Sequence, residues 1–282
     1  MAANVGRINV DYAHVEIGEF KDTVYCPCQD TFLFVDALQS DIEHLRRREI
    51  AVVMEIGSGS GYISAYLLKL LCDNGETGAV RATHRRDDGY YQCAEGAYDV
   101  ERSVCAPSCK YSPPFVIAVD INPFANAATM QTLNSNGVAE KADAVGMDMF
   151  ASLNCRASRK MVDVVMFNPP YVPSDGDETA NECLDMAWNG GAMGREVTDR
   201  FIGSVKVRLL HLRNADTCNA GILIAQRNSL VEKRNDVNSV LQFIEKQGFD
   251  AQVIITKKLL GETLSVIRFC TKNTDALATQ RQ

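Results

Sequence analysis

The chain has 282 residues, 46% hydrophobic and 23% charged, which are the proportions of a folded globular protein and exclude a disordered one. Its 29 basic and 36 acidic residues leave a formal net charge of −7, so nothing global in its electrostatics favours DNA or RNA, and nucleic acid is not the expected partner. Arg7, Asp11, Glu16, Glu19 and Lys21 interrupt the start of the chain and no later stretch reaches the ~20 apolar residues of a membrane span; no membrane role is expected, and the ten cysteines are expected as reduced thiols of an intracellular protein.

The spacing of apolar residues predicts a helix over 30–45, followed by a buried strand over 51–56 that runs into the turn Gly57-Ser58-Gly59-Ser60-Gly61. Ile63, Tyr66, Leu67 and Leu70 then recur at helical spacing, so the turn opens a helix over 62–72. Short β-branched or apolar runs predict further strands at 115–120, 142–147, 162–167, 221–225, 251–255 and 264–269, with helices at 123–136, 195–212 and 230–246. This alternation implies a mainly parallel, Rossmann-like α/β sheet with helices on both faces. The last two strands are separated only by residues 256–263, too short for a helical crossover, so that pair is expected to be antiparallel.

One domain over residues 1–282 is expected, with an insertion at about 79–114 where periodicity disappears. The insertion holds His84, Cys93, Cys105 and Cys109, but no Cys-x-x-Cys pair, and no bound metal is expected there. Arg81, Arg85 and Arg86, offset by Asp87 and Asp88, fit a solvated loop.

Three features carry chemistry. Glycines after the first strand let a ligand approach the backbone, and Gly57 and Gly59 are candidate cofactor contacts at the carboxyl edge, where such sheets bind. Glu55 precedes them and no Lys-Ser/Thr pair follows, which suits the cationic methionine end of S-adenosylmethionine better than a phosphate chain. Asp120 ends the second strand, placed either to accept ribose hydroxyls or to cap the helix starting at Pro123; Asp148 ends the third, where it could meet an adenine amine.

The third feature is Asn168-Pro169-Pro170-Tyr171, directly after an apolar strand that two prolines cannot continue. A rigid turn with a covering tyrosine is the purely structural interpretation. The chemical one starts from the weak nucleophilicity of an amide nitrogen, whose lone pair is delocalised into its carbonyl. The Asn168 side-chain carbonyl and the Pro169 backbone carbonyl can accept the two N–H groups while Tyr171 stacks on the planar amide, which orients the nitrogen and stabilises the positive charge it develops.

These residues resemble the HemK/PrmC-type glutamine methyltransferases, and most closely their eukaryotic and archaeal branch acting on class I translation release factors. The resemblance covers most of the chain and rests on Tyr25-x-Pro27-x-x-Asp30-Thr31-Phe32-Leu33, Glu55-x-Gly57-Ser58-Gly59-Ser60-Gly61, Asp120-Ile121-Asn122-Pro123 and Asn168-Pro169-Pro170-Tyr171. It extends through Ala187-Trp188-x-Gly190-Gly191, Gly194-Arg195-Glu196 and Gly261-Glu262-Thr263-Leu264-Ser265-Val266. It implies a seven-stranded class I methyltransferase sheet with S-adenosylmethionine contacted by Thr31, Glu55, Gly57, Asp120, Asp148 and Met149, and Asn168 holding the substrate amide. It also implies a small zinc-binding activator subunit at a sheet edge, where residues 142–147, Met149 and Phe150 would expose apolar side chains, and location in the cytoplasm, with the nucleus also compatible. The chain departs from the family at Gln29, where an acidic residue is usual, so that charge near the cofactor would fall to Asp30 and Thr31.

The same Asn-Pro-Pro-Tyr chemistry would serve an adenine N-methyltransferase on DNA or RNA, against which the acidic net charge stands. A histone lysine methyltransferase would need a base to deprotonate the ammonium, and none is evident. A non-catalytic methyltransferase-like subunit would tolerate loss of Glu55, Asp120 or Asn168, and all three are present.

Overall fold

The computed structural model of the protein describes residues 8–46, 50–72, 112–151, 162–174, 184–191, 194–208, 221–229, 237–259 and 262–271. Its strands are β1 (Val52–Ile56), β2 (Phe115–Asp120), β3 (Ala142–Gly146), β4 (Val164–Phe167), β5 (Gly221–Ser229), β6 (Phe249–Leu259) and β7 (Glu262–Thr271). They join in one sheet in the order β3-β2-β1-β4-β5-β7-β6. Pairing is parallel from β3 through β5, whereas β7 runs antiparallel to both its neighbours. The mainly parallel sheet and its antiparallel final strand are therefore as expected.

The helices are α1 (Ala13–Glu16), α2 (Gln29–Ser40), α3 (Ile42–Arg46), α4 (Tyr62–Cys72), α5 (Pro123–Ser135), α6 (Glu196–Arg208) and α7 (Val237–Lys246). Alternation along the strands divides the core in two. Val53, Val164 and Met166 face the buried residues of α2 and α4, among them Phe34, Leu38, Tyr66 and Leu67. Met54, Ile56, Val165 and Phe167 face Phe201, Ile202 and Val205 of α6 and Val240 and Ile244 of α7. Strand β4 is buried at every residue, as a central parallel strand must be. Each such Leu, Ile or Phe contributes roughly 1.5–3 kcal/mol, so packing on both faces fixes the strands' height relative to one another.

The register follows. Ile56 lies opposite Val119 of β2 and Phe167 of β4, so Gly57, Asp120 and Asn168 all emerge at the same carboxyl edge. Three positions far apart in sequence become neighbours because parallel strands end together.

Several boundaries differ from the expected ones, for identifiable reasons. The helix expected over 30–45 divides at Asp41, whose carboxylate pairs with Arg268 of β7 and so ties the α2–α3 junction to the sheet. Strand β4 begins at Val164 because Asp163 turns its Oδ2 to the backbone N–H groups of Ala51 and Val52, at 2.8 and 2.9 Å. Strands β5, β6 and β7 are longer than expected, since each antiparallel pairing extends its neighbour; β6 accommodates an irregularity between Val253 and Ile255. Helix α1, which carries no strong sequence signal, is held on α5 by Val15, Val24, Ala125 and Ala128 and by His14 Nε2 at 3.1 Å from the Ala128 carbonyl.

Met147, Met149 and Phe150 correct another expectation. They are buried in the α6 side of the core and are not exposed at the edge. Strand β3 does end the sheet, and Asp143 and Gly146 on it are exposed. No helix among the described residues is long and apolar enough to cross a membrane. The insertion at about 79–114, with His84, Cys93, Cys105 and Cys109, lies outside the described residues apart from its last three positions.

Candidate active site at the carboxyl edge of the sheet

The glycine turn leaves β1 with Gly57, Gly59 and Gly61 all at positive φ, 64°, 52° and 76°, a region an L side chain rarely adopts. Helix α5 forms the wall behind it. A Cβ on Gly61 would lie 2.8 Å from the Thr129 backbone, so only glycine fits. Thr129 Oγ1 donates to the Gly59 carbonyl at 3.1 Å and Thr132 Oγ1 to the Ser60 carbonyl at 2.5 Å. Both threonines are fully buried, and no motif in the sequence marks them. By contrast a Cβ on Gly59 would meet nothing within 4 Å, so open space lies over that residue.

Asp120 closes the turn from β2. Its Oδ2 accepts the Gly59 N–H and its Oδ1 the Asn122 N–H, each at 2.9 Å. The cap of α5 is Asn122, which accepts the Phe124 N–H at 2.9 Å, and not Asp120. An ionised carboxylate has about four lone-pair directions, so Asp120 keeps capacity for further donors after these two bonds. Burial raises its pKa and the backbone N–H groups oppose that shift.

Glu55 lies beneath the turn, fully buried on β1, and receives a short hydrogen bond from Ser64 of α4. Burial pushes its carboxyl up to about 8, with the Asp120 charge adding to the shift and Ser64 opposing it. Glu55 is thus largely protonated at neutral pH in the absence of a cation, which modifies the expectation of a standing negative charge.

The Asn168 side chain emerges after β4 with a buried carbonyl oxygen that has no hydrogen-bond partner, while its Nδ2 donates to Asp30 Oδ2 at 2.9 Å. Asp30, in the first turn of α2, also accepts the Cys28 thiol at 2.9 Å and the Tyr171 hydroxyl. Burial and then the Asp30 charge raise both the Tyr171 hydroxyl and the Cys28 thiol, the latter to about 11. Cys28 is therefore a thiol donor here and not a reactive thiolate. Asp30, which the resemblance puts near the cofactor, is bonded in this structure to the Asn-Pro-Pro-Tyr segment.

That segment is clamped from behind. Val172 bridges to Asn189: its N–H donates to the Trp188 carbonyl and its carbonyl accepts the Gly190 N–H, both at 2.8 Å. A Cβ on Gly190 would fall 2.8 Å from the Cα atoms of Tyr171 and Gly194, which explains a glycine that spacing alone could not.

Thr31 is buried on α2, one residue beyond Asp30. Pro169 is buried beside Asn168. Asp148 is not brought to these groups as an open acceptor: both its oxygens bind Arg200 of α6, at 2.8 and 2.9 Å. With Met149, held at positive φ (48°), it lines a hollow that Arg200 and Ser204 complete. Among the described residues no group of three His, Cys, Asp or Glu is placed to hold a metal ion.

The edge therefore combines a ligand-approachable glycine turn, two buried carboxyl groups and an isolated amide acceptor. No family model matches the chain. The human protein Methyltransferase HEMK2 is 31% identical over 258 residues, covering 92% of this chain and 94% of the human one. The Schizosaccharomyces pombe eRF1 methyltransferase catalytic subunit mtq2 is 25% identical over 262 residues, 91% of this chain and 92% of that one. A Methanocaldococcus jannaschii protein named as a protein N5-glutamine methyltransferase is 28% identical over 152 residues, 54% of this chain and 68% of its own. With near-complete coverage of the human relative at that identity, the chain, whose glycine turn, Asp120 and Asn168 share one edge of the sheet, belongs to the HemK-type methyltransferase family.

Proposed function

We propose that the protein transfers a methyl group from S-adenosylmethionine to the side-chain amide nitrogen of a glutamine in a class I translation release factor. The observation that carries this reading is the Asn168 amide. Its nitrogen is spent on Asp30 and its buried oxygen has no partner, so the site offers an acceptor and no donor at that point. An unpartnered buried acceptor costs about 1–3 kcal/mol, a cost recovered when a substrate N–H binds it. A primary amide has two such N–H groups, the second of which the Pro169 carbonyl would take.

The residues fit the cofactor. Open space over Gly59 admits a ligand against the turn, and Asp120 keeps lone pairs for ribose hydroxyls. Glu55 would ionise against a cationic centre, with Thr31, Gly57 and Met149 adding contacts, whereas Asp148, both of whose oxygens bind Arg200, would meet the adenine amine only through its remaining lone pairs. S-adenosylmethionine, when bound, supplies an electrophilic methyl group on a sulfonium. This chain's part is to bind and orient: Asn168 and Pro169 fix the amide through its N–H groups, and Tyr171 covers its plane. Accepting those hydrogen bonds lowers the energy of the positive charge that grows on nitrogen.

The release factor as substrate is supported by the yeast relative, which is named for eRF1, and glutamine by the archaeal one. The yeast protein is named a catalytic subunit, which supports a second subunit here, in this reading a small zinc-binding activator on the free edge of β3. We read residues 1–282 as one seven-stranded class I domain acting in the cytoplasm, where its substrate works.

The test is mass spectrometry of a class I release factor incubated with labelled S-adenosylmethionine and the purified chain, with and without the zinc-binding partner. One methyl group on a glutamine, dependent on the partner, is expected. Label on lysine, or on nucleic acid in a parallel incubation, would refute the assignment.

A further inference from the structure

One carboxylate in this site is used by neither the cofactor reading nor the amide cradle. Asp30 is 5% exposed and collects three donors: the Asn168 side-chain amide and the Cys28 thiol, each at 2.9 Å, and the Tyr171 hydroxyl. The Cys28 sulfur is itself 2.9 Å from the Tyr25 hydroxyl, so the cluster continues into the segment preceding α2. It therefore links the start of α2, residues 25–30, to the segment after β4, more than 130 positions later.

An asparagine side chain can flip, exchanging its oxygen and nitrogen at nearly constant shape. Only one orientation presents an acceptor to a substrate N–H. In this structure the choice is made by Asp30: an ionised carboxylate accepts but cannot donate, so it can bind only the NH2 side and leaves the oxygen toward the substrate. By bonding the Tyr171 hydroxyl as well, Asp30 holds the ring that lies two prolines beyond. A charged partner on the amide N–H also polarises the amide and strengthens its oxygen as an acceptor.

We propose that Asp30 is a positioning residue for methyl transfer, fixing the Asn168 amide and the Tyr171 ring in the orientation that reads a substrate N–H. This rests on the amide-cradle reading of Asn168. Asp30 touches neither substrate nor methyl donor in this role and acts through the two residues it holds.

Asp30→Asn is the informative variant, because it keeps size and hydrogen bonding but can either accept from or donate to Asn168, so the amide is no longer held one way. Turnover at saturating S-adenosylmethionine should fall about tenfold in Asp30→Asn and about a hundredfold in Asp30→Ala, the scale of a misplacement of ~1 Å. Cofactor affinity by calorimetry should stay within about threefold in both, since the loss is of orientation and not of cofactor contacts. A readout independent of activity is the Asn168 side-chain amide signal in 15N NMR, identified by its loss in Asn168→Ala. Its hydrogen exchange should be slow in the parent and faster in Asp30→Asn.

Cofactor affinity weakened more than tenfold with unchanged saturated turnover would overturn the proposal and make Asp30 a cofactor ligand. Parent-like turnover and amide exchange in Asp30→Asn, with Asn168→Ala inactive, would sink the positioning role while leaving the cradle intact. Retained turnover in Asn168→Ala would instead remove the cradle itself. Should Asp30→Ala fail to fold, Asp30→Asn with its exchange measurement still decides the matter.

Discussion

Replacing Glu55 by glutamine tests the electrostatics beneath the glycine turn. The substitution keeps the side chain's size and its capacity to accept from Ser64, and removes only the titrating proton. In the parent protein burial pushes the carboxyl from 4.5 to about 8. An acid whose folded value is raised contributes stability that is fully present below its unfolded value and is lost as pH rises through the folded one. Between those limits the unfolded chain has released a proton that the folded protein retains, so stability falls by up to ~1.4 kcal/mol per pH unit. From about pH 6 to 7.5 the loss approaches ~2 kcal/mol, or roughly 4–8 °C in Tm for a chain of this size. Thermal melts of the ligand-free parent and of Glu55→Gln across this range should therefore diverge, the variant gaining relative to the parent as pH rises. Titration by other groups cancels in the difference. A cation over the turn favours the ionised carboxylate, so parent affinity for S-adenosylmethionine should rise with pH up to about 8, by at most ~10-fold per unit, while Glu55→Gln stays flat. Parallel Tm profiles for the two proteins would show that Glu55 is ionised in the folded state throughout, and the reasoning would fail.

Asn168→Ala should lower turnover by ~10²–10³ while leaving cofactor affinity within about tenfold, read by single-turnover assay and calorimetry. Asp120→Ala should weaken cofactor binding by roughly 1–3 kcal/mol in the same titration and also lower Tm, because the Gly59 and Asn122 N–H groups lose their acceptor. Gly190→Ala puts a methyl group 2.8 Å from the Tyr171 and Gly194 Cα atoms; it should cost about 1–3 kcal/mol in denaturant unfolding and, by displacing Tyr171, about 10²-fold in turnover. Normal turnover in that variant would mean the segment after β4 tolerates displacement.

What could be read in the sequence was whatever local chemistry dictates. Glycines at 57, 59 and 61 announce a turn because their backbone conformation excludes side chains, and Pro169-Pro170 announce the end of a central strand because neither can donate to the ladder. Alternating apolar runs and amphipathic helices gave the layered architecture, since each must bury a face. Asn168 stood out for the same reason: a polar side chain directly after a fully buried strand has one edge to occupy.

The partners of these groups belong to the tertiary structure alone. Nothing local connects Asp30 with Asn168, Ser64 with Glu55, or Thr129 and Thr132 with the glycine turn; packing of α2, α4 and α5 against the strands makes those pairs. Asp148 shows the converse, since a strand-end acid looks available until α6 packs and Arg200 takes both oxygens. Likewise Met147, Met149 and Phe150 follow an edge strand in the chain, yet turn inward onto α6. Sequence determines which residues can bond, turn or bury; which acceptor is already occupied, and which is left open as at Asn168 Oδ1, depends on distances that exist only after the helices have docked.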